Sequence, residues 1–111
     1  MLEERIRLIE CFDRYRALLT EHQNDIMELY FLQDLSLGEI ADETDVSRQA
    51  VHDVIRRTER ILLDYEDKLR DVERAKRIRR ILGAALENLG TDDPDRRDYG
   101  LRLLNKLYEE R

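Results

Sequence analysis

The segment Leu37-Gly38-Glu39-Ile40-Ala41-Asp42-Glu43-Thr44-Asp45-Val46-Ser47-Arg48-Gln49-Ala50-Val51-His52-Asp53-Val54 reads as two short helices crossing over a tight turn. Such a crossing makes three demands on the residues. It needs a small side chain where the helices meet, and Ala41 supplies it. The turn needs a residue that tolerates a left-handed backbone. Asp45 stands where glycine is commonest, and aspartate is among the few other residues that enter that region cheaply. Apolar residues must join the helices at fixed offsets, and Ile40, Val46, Val51 and Val54 do so. Ser36 with Glu39 reads as a capping box opening the first helix, and Ser47 as the N-cap of the second. The predicted fold class is therefore all-α, with a helix-turn-helix at roughly residues 36–57.

Working upstream, Thr20-Glu21-His22-Gln23 is a second capping box. It starts a helix with Ile26, Leu29 and Tyr30 on its apolar side, ending near Gln33-Asp34. Before it, Leu2, Ile9, Phe12, Tyr15 and Leu19 fall at helical spacing, with Ile6 and Leu8 beside them. This predicts a first helix from Leu2 to Leu19, with Arg5, Arg7, Arg14 and Arg16 in solvent. Phe12, Tyr15, Tyr30 and Phe31 read as packing residues.

Downstream, Val51, Ile55, Thr58, Leu62, Tyr65, Leu69 and Val72 alternate steps of four and three, a heptad pattern. That stripe could pack on the first helix or on the same stripe of a second copy, and it predicts a homodimer. A bend or break is expected between Tyr65 and Lys76. Ile78, Leu82, Leu86 and Leu89 carry an apolar face further. Gly90-Thr91-Asp92-Asp93-Pro94 breaks the helix and Asp93-Pro94 restarts it. Tyr99, Leu103, Leu104 and Leu107 then mark a last helix. The organisation predicted is a single domain over 1–111, with a helix-turn-helix core at 20–72 and long C-terminal helices at 73–111.

The chain has 111 residues, of which 41% are hydrophobic and 41% charged, with one proline and four glycines. That is the composition of long amphipathic helices. The lone Cys11 can form no internal disulfide and no zinc site, and its apolar neighbours point to burial. No carboxylate pair, phosphate-binding loop or His/Cys cluster stands out. The expectation is a protein without enzymatic activity, cofactor or metal. No basic-then-apolar leader and no apolar run of about 20 residues is present, so a cytoplasmic protein without membrane insertion is expected.

At Leu35–Ala41 and Val46–Val51 the sequence resembles region four of bacterial sigma factors, which reads promoter DNA through its second helix. The resemblance widens with the flanks Phe12-Asp13-Arg14-Tyr15, Ala17-Leu18-Leu19-Thr20, Arg57-Thr58-Glu59, Asp64-Tyr65-Glu66 and Lys68-Leu69. Together these are similar to the YlxM family of small bacterial helix-turn-helix proteins, and the similarity fades after about Leu69. It implies a sigma-like (winged-helix-like) DNA-binding fold. The resemblance further implies a regulatory or accessory role beside the signal recognition particle, whose GTPase gene commonly neighbours such genes. Signal recognition particle components are thus implied partners.

The exposed side of a reading helix faces base edges in the nucleic acid. Here that side offers Ser47, Arg48, Gln49, His52 and Asp53, with Arg56 and Arg57 one turn on. Arg48 and Gln49 can make paired hydrogen bonds to guanine and adenine edges. Arg56, Arg57 and Arg60 are suited to phosphates. A second candidate is the basic strip Arg74, Lys76, Arg77, Arg79 and Arg80, suited to RNA or DNA phosphates but equally a solvated helix face. The chain's net charge is -6, so any nucleic-acid contact must come from such local patches. Even the helix-turn-helix carries six acids (Glu39, Asp42, Glu43, Asp45, Asp53, Glu59) against four arginines (Arg48, Arg56, Arg57, Arg60). A transcriptional regulator and a dimeric scaffold without nucleic acid are the competing readings.

Overall fold

The structure is a computed structural model and describes residues 1–110. It is all-helical among those residues: α1 (Leu2–Tyr15), α2 (Glu21–Phe31), α3 (Leu37–Thr44), α4 (Arg48–Leu69), α5 (Asp71–Leu89) and α6 (Pro94–Glu109). The chain divides into two compact units, Met1–Arg70 and the residues from Asp71 onward. No helix among the described residues is long and apolar enough to cross a membrane.

Local chemistry sets the ends of the helices in the first unit. The Thr20 hydroxyl accepts from the Gln23 amide at 3.1 Å, and the Gln23 side chain accepts from the Thr20 amide at 3.0 Å. Ser36 and Glu39 repeat the arrangement at 3.1 and 3.0 Å. Each box satisfies two amides that the first turn leaves without partners. The Glu39 carboxyl lies below its ordinary range because the Ser36 amide donates to it. Asp45 closes α3 in the left-handed region (φ 58°, ψ 37°), as the turn requires.

α1 stops at Tyr15, four residues short of the sequence expectation. Residues Arg16–Leu18 tighten into a 3₁₀ turn and Leu19 is extended. The reason lies next door: Thr20 caps α2 from an extended backbone, so the chain must leave the helix before it arrives. α4 ends at Arg70, which is left-handed (φ 53°), so the break falls inside the expected window.

The core of this unit is built from all four helices. Leu8, Cys11, Phe12 and Tyr15 of α1 meet Ile26, Met27 and Phe31 of α2, Ile40 and Ala41 of α3, and Val51, Ile55, Thr58 and Leu62 of α4. The first half of the heptad stripe is thus spent inside the chain, which removes the argument that it awaits a second copy. Two further expectations need correction. Leu2 is exposed and Leu8 is buried, so the core face of α1 lies beside the one the spacing suggested. Arg5 and Arg16 are not simply solvated. The Arg5 guanidinium lies 4.9 Å from the Tyr30 ring centre and donates to the Tyr30 carbonyl, and Arg16 covers the Phe12 ring at 4.6 Å. Their long stems extend the apolar packing and leave the charge at the edge.

In the second unit α5 and α6 form an antiparallel hairpin. Asn88 meets Arg96 near the connection (3.3 Å), and Arg77 forms a two-pronged ion pair with Glu110 at the far end. Between them Gly100 abuts Ala85: a Cβ at 100 would lie 2.9 Å from Leu89 Cγ and 3.0 Å from the Ala85 carbonyl oxygen. Only glycine fits that approach, so small residues set the crossing. Ala85 takes the inner position, and Ile78, Leu82 and Leu86, expected as an apolar contact face, are exposed.

Candidate nucleic-acid interface

The α3–turn–α4 arrangement leaves one side of α4 open. Ser47 caps it, its hydroxyl accepting from the Ala50 amide at 3.0 Å. From there Arg48, Gln49, His52, Asp53, Arg56, Arg57 and Arg60 are all exposed, while Val51, Ile55 and Thr58 are buried. At 3.6 residues per turn, Gln49, His52, Asp53, Arg56 and Arg60 share one continuous surface over three turns. Arg57 lies at its edge. The interior anchors of α4 therefore aim the polar residues outward.

The individual side chains differ in how free they are. Ser47 is engaged as a cap. The Gln49 amide donates to Asp53 Oδ1 at 2.9 Å, and His52 Nδ1 sits 3.8 Å from the same oxygen. Asp53 thus holds Gln49 in place and occupies the donor that would read adenine. The Arg48 guanidinium lies over Gly38 of α3, with Nε 3.8 Å from where a Cβ would stand. Among the described residues, Arg48, Arg56, Arg57 and Arg60 form no ion pair, and all four remain available to an anion. The hydrogen bond from Gln49 to Asp53 went unread in the sequence, although an i, i+4 count finds it.

One acid sits against this surface. Glu59 lines a recess of about 300 Å³ with Glu4, Arg5, Tyr30, Phe31 and Arg56. Burial holds its carboxyl above the ordinary range; Arg56 opposes this, Glu4 reinforces it, and Arg5 and His52 oppose it. The folded state therefore binds a proton more readily than the unfolded chain, and stability falls as pH rises through the raised value. Glu59→Gln is expected to raise the melting temperature by about one or two degrees at pH 7. The difference should vanish below about pH 4.5, the ordinary value for the group. Thermal melts of both proteins at pH 7 and pH 4 check this.

The basic strip lies in the other unit, on α5. Arg74 is tied to Asp71 at 2.9 Å and Arg77 to Glu110, so two of its cations already have carboxylate partners. Lys76, Arg79 and Arg80 line a shallow recess, and among the described residues neither Arg79 nor Arg80 forms an ion pair. No group of His, Cys, Asp or Glu side chains that could hold a metal occurs among the described residues.

A capped two-helix crossing with an outward polar helix defines a helix-turn-helix protein. Comparison with known proteins agrees and goes one step further. The family model described as "Putative helix-turn-helix protein, YlxM / p13 like" (UPF0122) matches residues 2–98, and the chain belongs to that family. A UPF0122 protein of Shouchella clausii is 51% identical over 92 residues, covering 83% of this chain and 84% of the relative. UPF0122 proteins of Bacillus thuringiensis and Bacillus mycoides are 61% identical over 69 residues, 62% of this chain. Those two matches span 63% of the relatives' own length.

Proposed function

We propose that this chain is a non-enzymatic accessory protein of the signal recognition particle pathway in the cytoplasm, gripping RNA through the outer face of α4. The observation that carries the nucleic-acid reading is the set of exposed arginines on α4 without carboxylate partners among the described residues. Guanidinium groups in that state bind phosphate without first breaking an internal ion pair. The strip at Arg74, Lys76, Arg77 and Arg80 is a second phosphate contact in this reading, with Arg80 and the neighbouring Arg79 free of carboxylate partners among the described residues. The pathway rests on the YlxM resemblance alone.

A second reading, a DNA-binding transcriptional regulator, is favoured by Arg48 and Gln49 at the N-terminal end of α4, the base-reading end of such helices. Filter binding at about 50 mM salt, with the particle's RNA and a promoter-type duplex as probes, separates the two. Tighter RNA binding that weakens with salt is the expected result. Preference for the duplex, lost roughly tenfold in Arg48→Ala with Gln49→Ala, would favour the regulator. Binding to neither probe overturns both.

A further inference from the structure

We propose that the outer face of the α5–α6 hairpin is a homodimerisation surface, closing against the same face of a second copy as a four-helix bundle. This does not depend on the nucleic-acid reading.

The sidedness of the hairpin follows from helix geometry. Each residue advances about 100° around its helix. Taking Ala85 as the direction in which α5 faces α6, Ile78, Leu82 and Leu86 lie about 20°, 60° and 100° to one side. Taking Gly100 as the inward direction of α6, Leu104, Tyr108 and Leu101 lie about 40°, 80° and 100° round in the same sense. Two antiparallel helices are related by a twofold axis normal to their plane, so the same sense on each helix is the same face of the hairpin. Six large apolar side chains therefore line one side of this unit; in the other sense lie Leu107, Ile81 and Leu103, which are half-buried, and Tyr99 at the edge.

That face is uncovered. Ile78 is 38% exposed, Leu82 41%, Leu86 70%, Leu101 52% and Tyr108 88%. The hairpin buries little by itself: among its described residues, only Ala85 and Gly100 are buried. About forty residues with so small an interior do not make an independently stable core. The uncovered residues offer roughly 550 Å² of accessible surface per copy, most of it apolar, and their polar rim brings this near the about 800 Å² per partner of a standard interface.

A second copy fits this surface better than a dissimilar partner, because the hairpin is the half-bundle that a twofold axis completes. With that axis along the helices, each α5 lies against an opposing α6 running the other way, so all neighbours are antiparallel. The rims agree in charge. On its outer edge α5 carries Lys76, Arg79 and Arg80 against Glu73 and Glu87, a net of +1, and α6 carries Asp95, Asp98 and Glu109 against Arg102 and Lys106, a net of -1, with Arg102 paired to Asp98 at 3.0 Å. The bundle places one rim against the other. An anionic membrane would meet a chain of net charge -6.

Sedimentation equilibrium of the full chain tests this. The unmodified protein should be dimeric at tens of micromolar and dissociate on dilution. Leu86→Ser with Tyr108→Ser, at the two most exposed positions of the face, should raise the dissociation constant at least about tenfold with helix content at high concentration unchanged. Ile6→Ser, at an exposed apolar residue of α1, should leave the dimer as it was. A monomer at high micromolar concentration overturns the proposal, as does a dimer indifferent to the first pair of substitutions or abolished by the third.

Discussion

Phe12→Ala is expected to destabilise the Met1–Arg70 unit by about 3–5 kcal/mol, enough to remove most of its folding free energy. Phe12 is essentially inaccessible in the last turn of α1. Its ring is 5.7 Å from that of Phe31 on α2 and lies under the Arg16 guanidinium. The substitution therefore leaves a cavity and also removes a tilted aromatic pair and a cation–π contact, the pair alone being worth roughly 0.5–1.5 kcal/mol. A unit of this size holds only about 4–10 kcal/mol in total. Circular dichroism melts at 222 nm should show a midpoint lowered by well over 10 °C, or no cooperative transition from this unit. Leu32→Ala, at an exposed residue past the end of α2, should change little by comparison. A Phe12 variant melting within a few degrees of the parent would mean that α1 and α2 do not share this core.

The features legible in the sequence are those governed by short-range rules. Both capping boxes, the left-handed Asp45 and the helix break near Arg70 depend on residues within about four positions of each other, so their chemistry shows in the chain. The all-α helix-turn-helix follows from them. The exposure of Arg48, Gln49, His52, Arg56 and Arg57 was legible too, because the buried positions of α4 fix the opposite face. What stayed hidden depends on distant partners. The Tyr15 hydroxyl donates to the buried Glu66 carboxylate at 2.5 Å, 51 residues away. Arg77 belongs to the basic strip by sequence but is held by Glu110 across the hairpin. The face of α5 was misread for a different reason. Periodicity counts large apolar residues, whereas the tight crossing with α6 selects the small ones, Ala85 and Gly100; of the expected face only Leu89 lies against Gly100, and Ile78, Leu82 and Leu86 are left exposed. Thr58 has no explanation of this kind: its fully buried hydroxyl, in the middle of α4, has no hydrogen-bond partner among the described residues.

Reversing two charges on α4 should have the largest effect on binding. Arg57→Glu with Arg60→Glu is expected to lower nucleic-acid affinity by about a hundredfold or more at 50 mM salt. Residues 36–60 hold four arginines and six acids, a net of -2, and the double variant would hold two and eight, a net of -6. A surface so poor in excess cations depends on where each one stands. Two of the six acids, Glu39 in its cap and Asp53 against Gln49, are held in fixed positions by neutral amide donors and keep their charge. Losing two phosphate contacts should also flatten the dependence of log K on log salt, by about 1.8 for a duplex or about 1.4 for a single strand. The fold should not change, since both arginines are exposed and neither has an ion-pair partner among the described residues. Titrations at several salt concentrations, with a melt of each protein, separate these effects. A weaker complex with an unaltered salt slope and an unaltered melt would place the phosphates elsewhere, and the strip on α5 at Lys76, Arg79 and Arg80 would be the next to reverse.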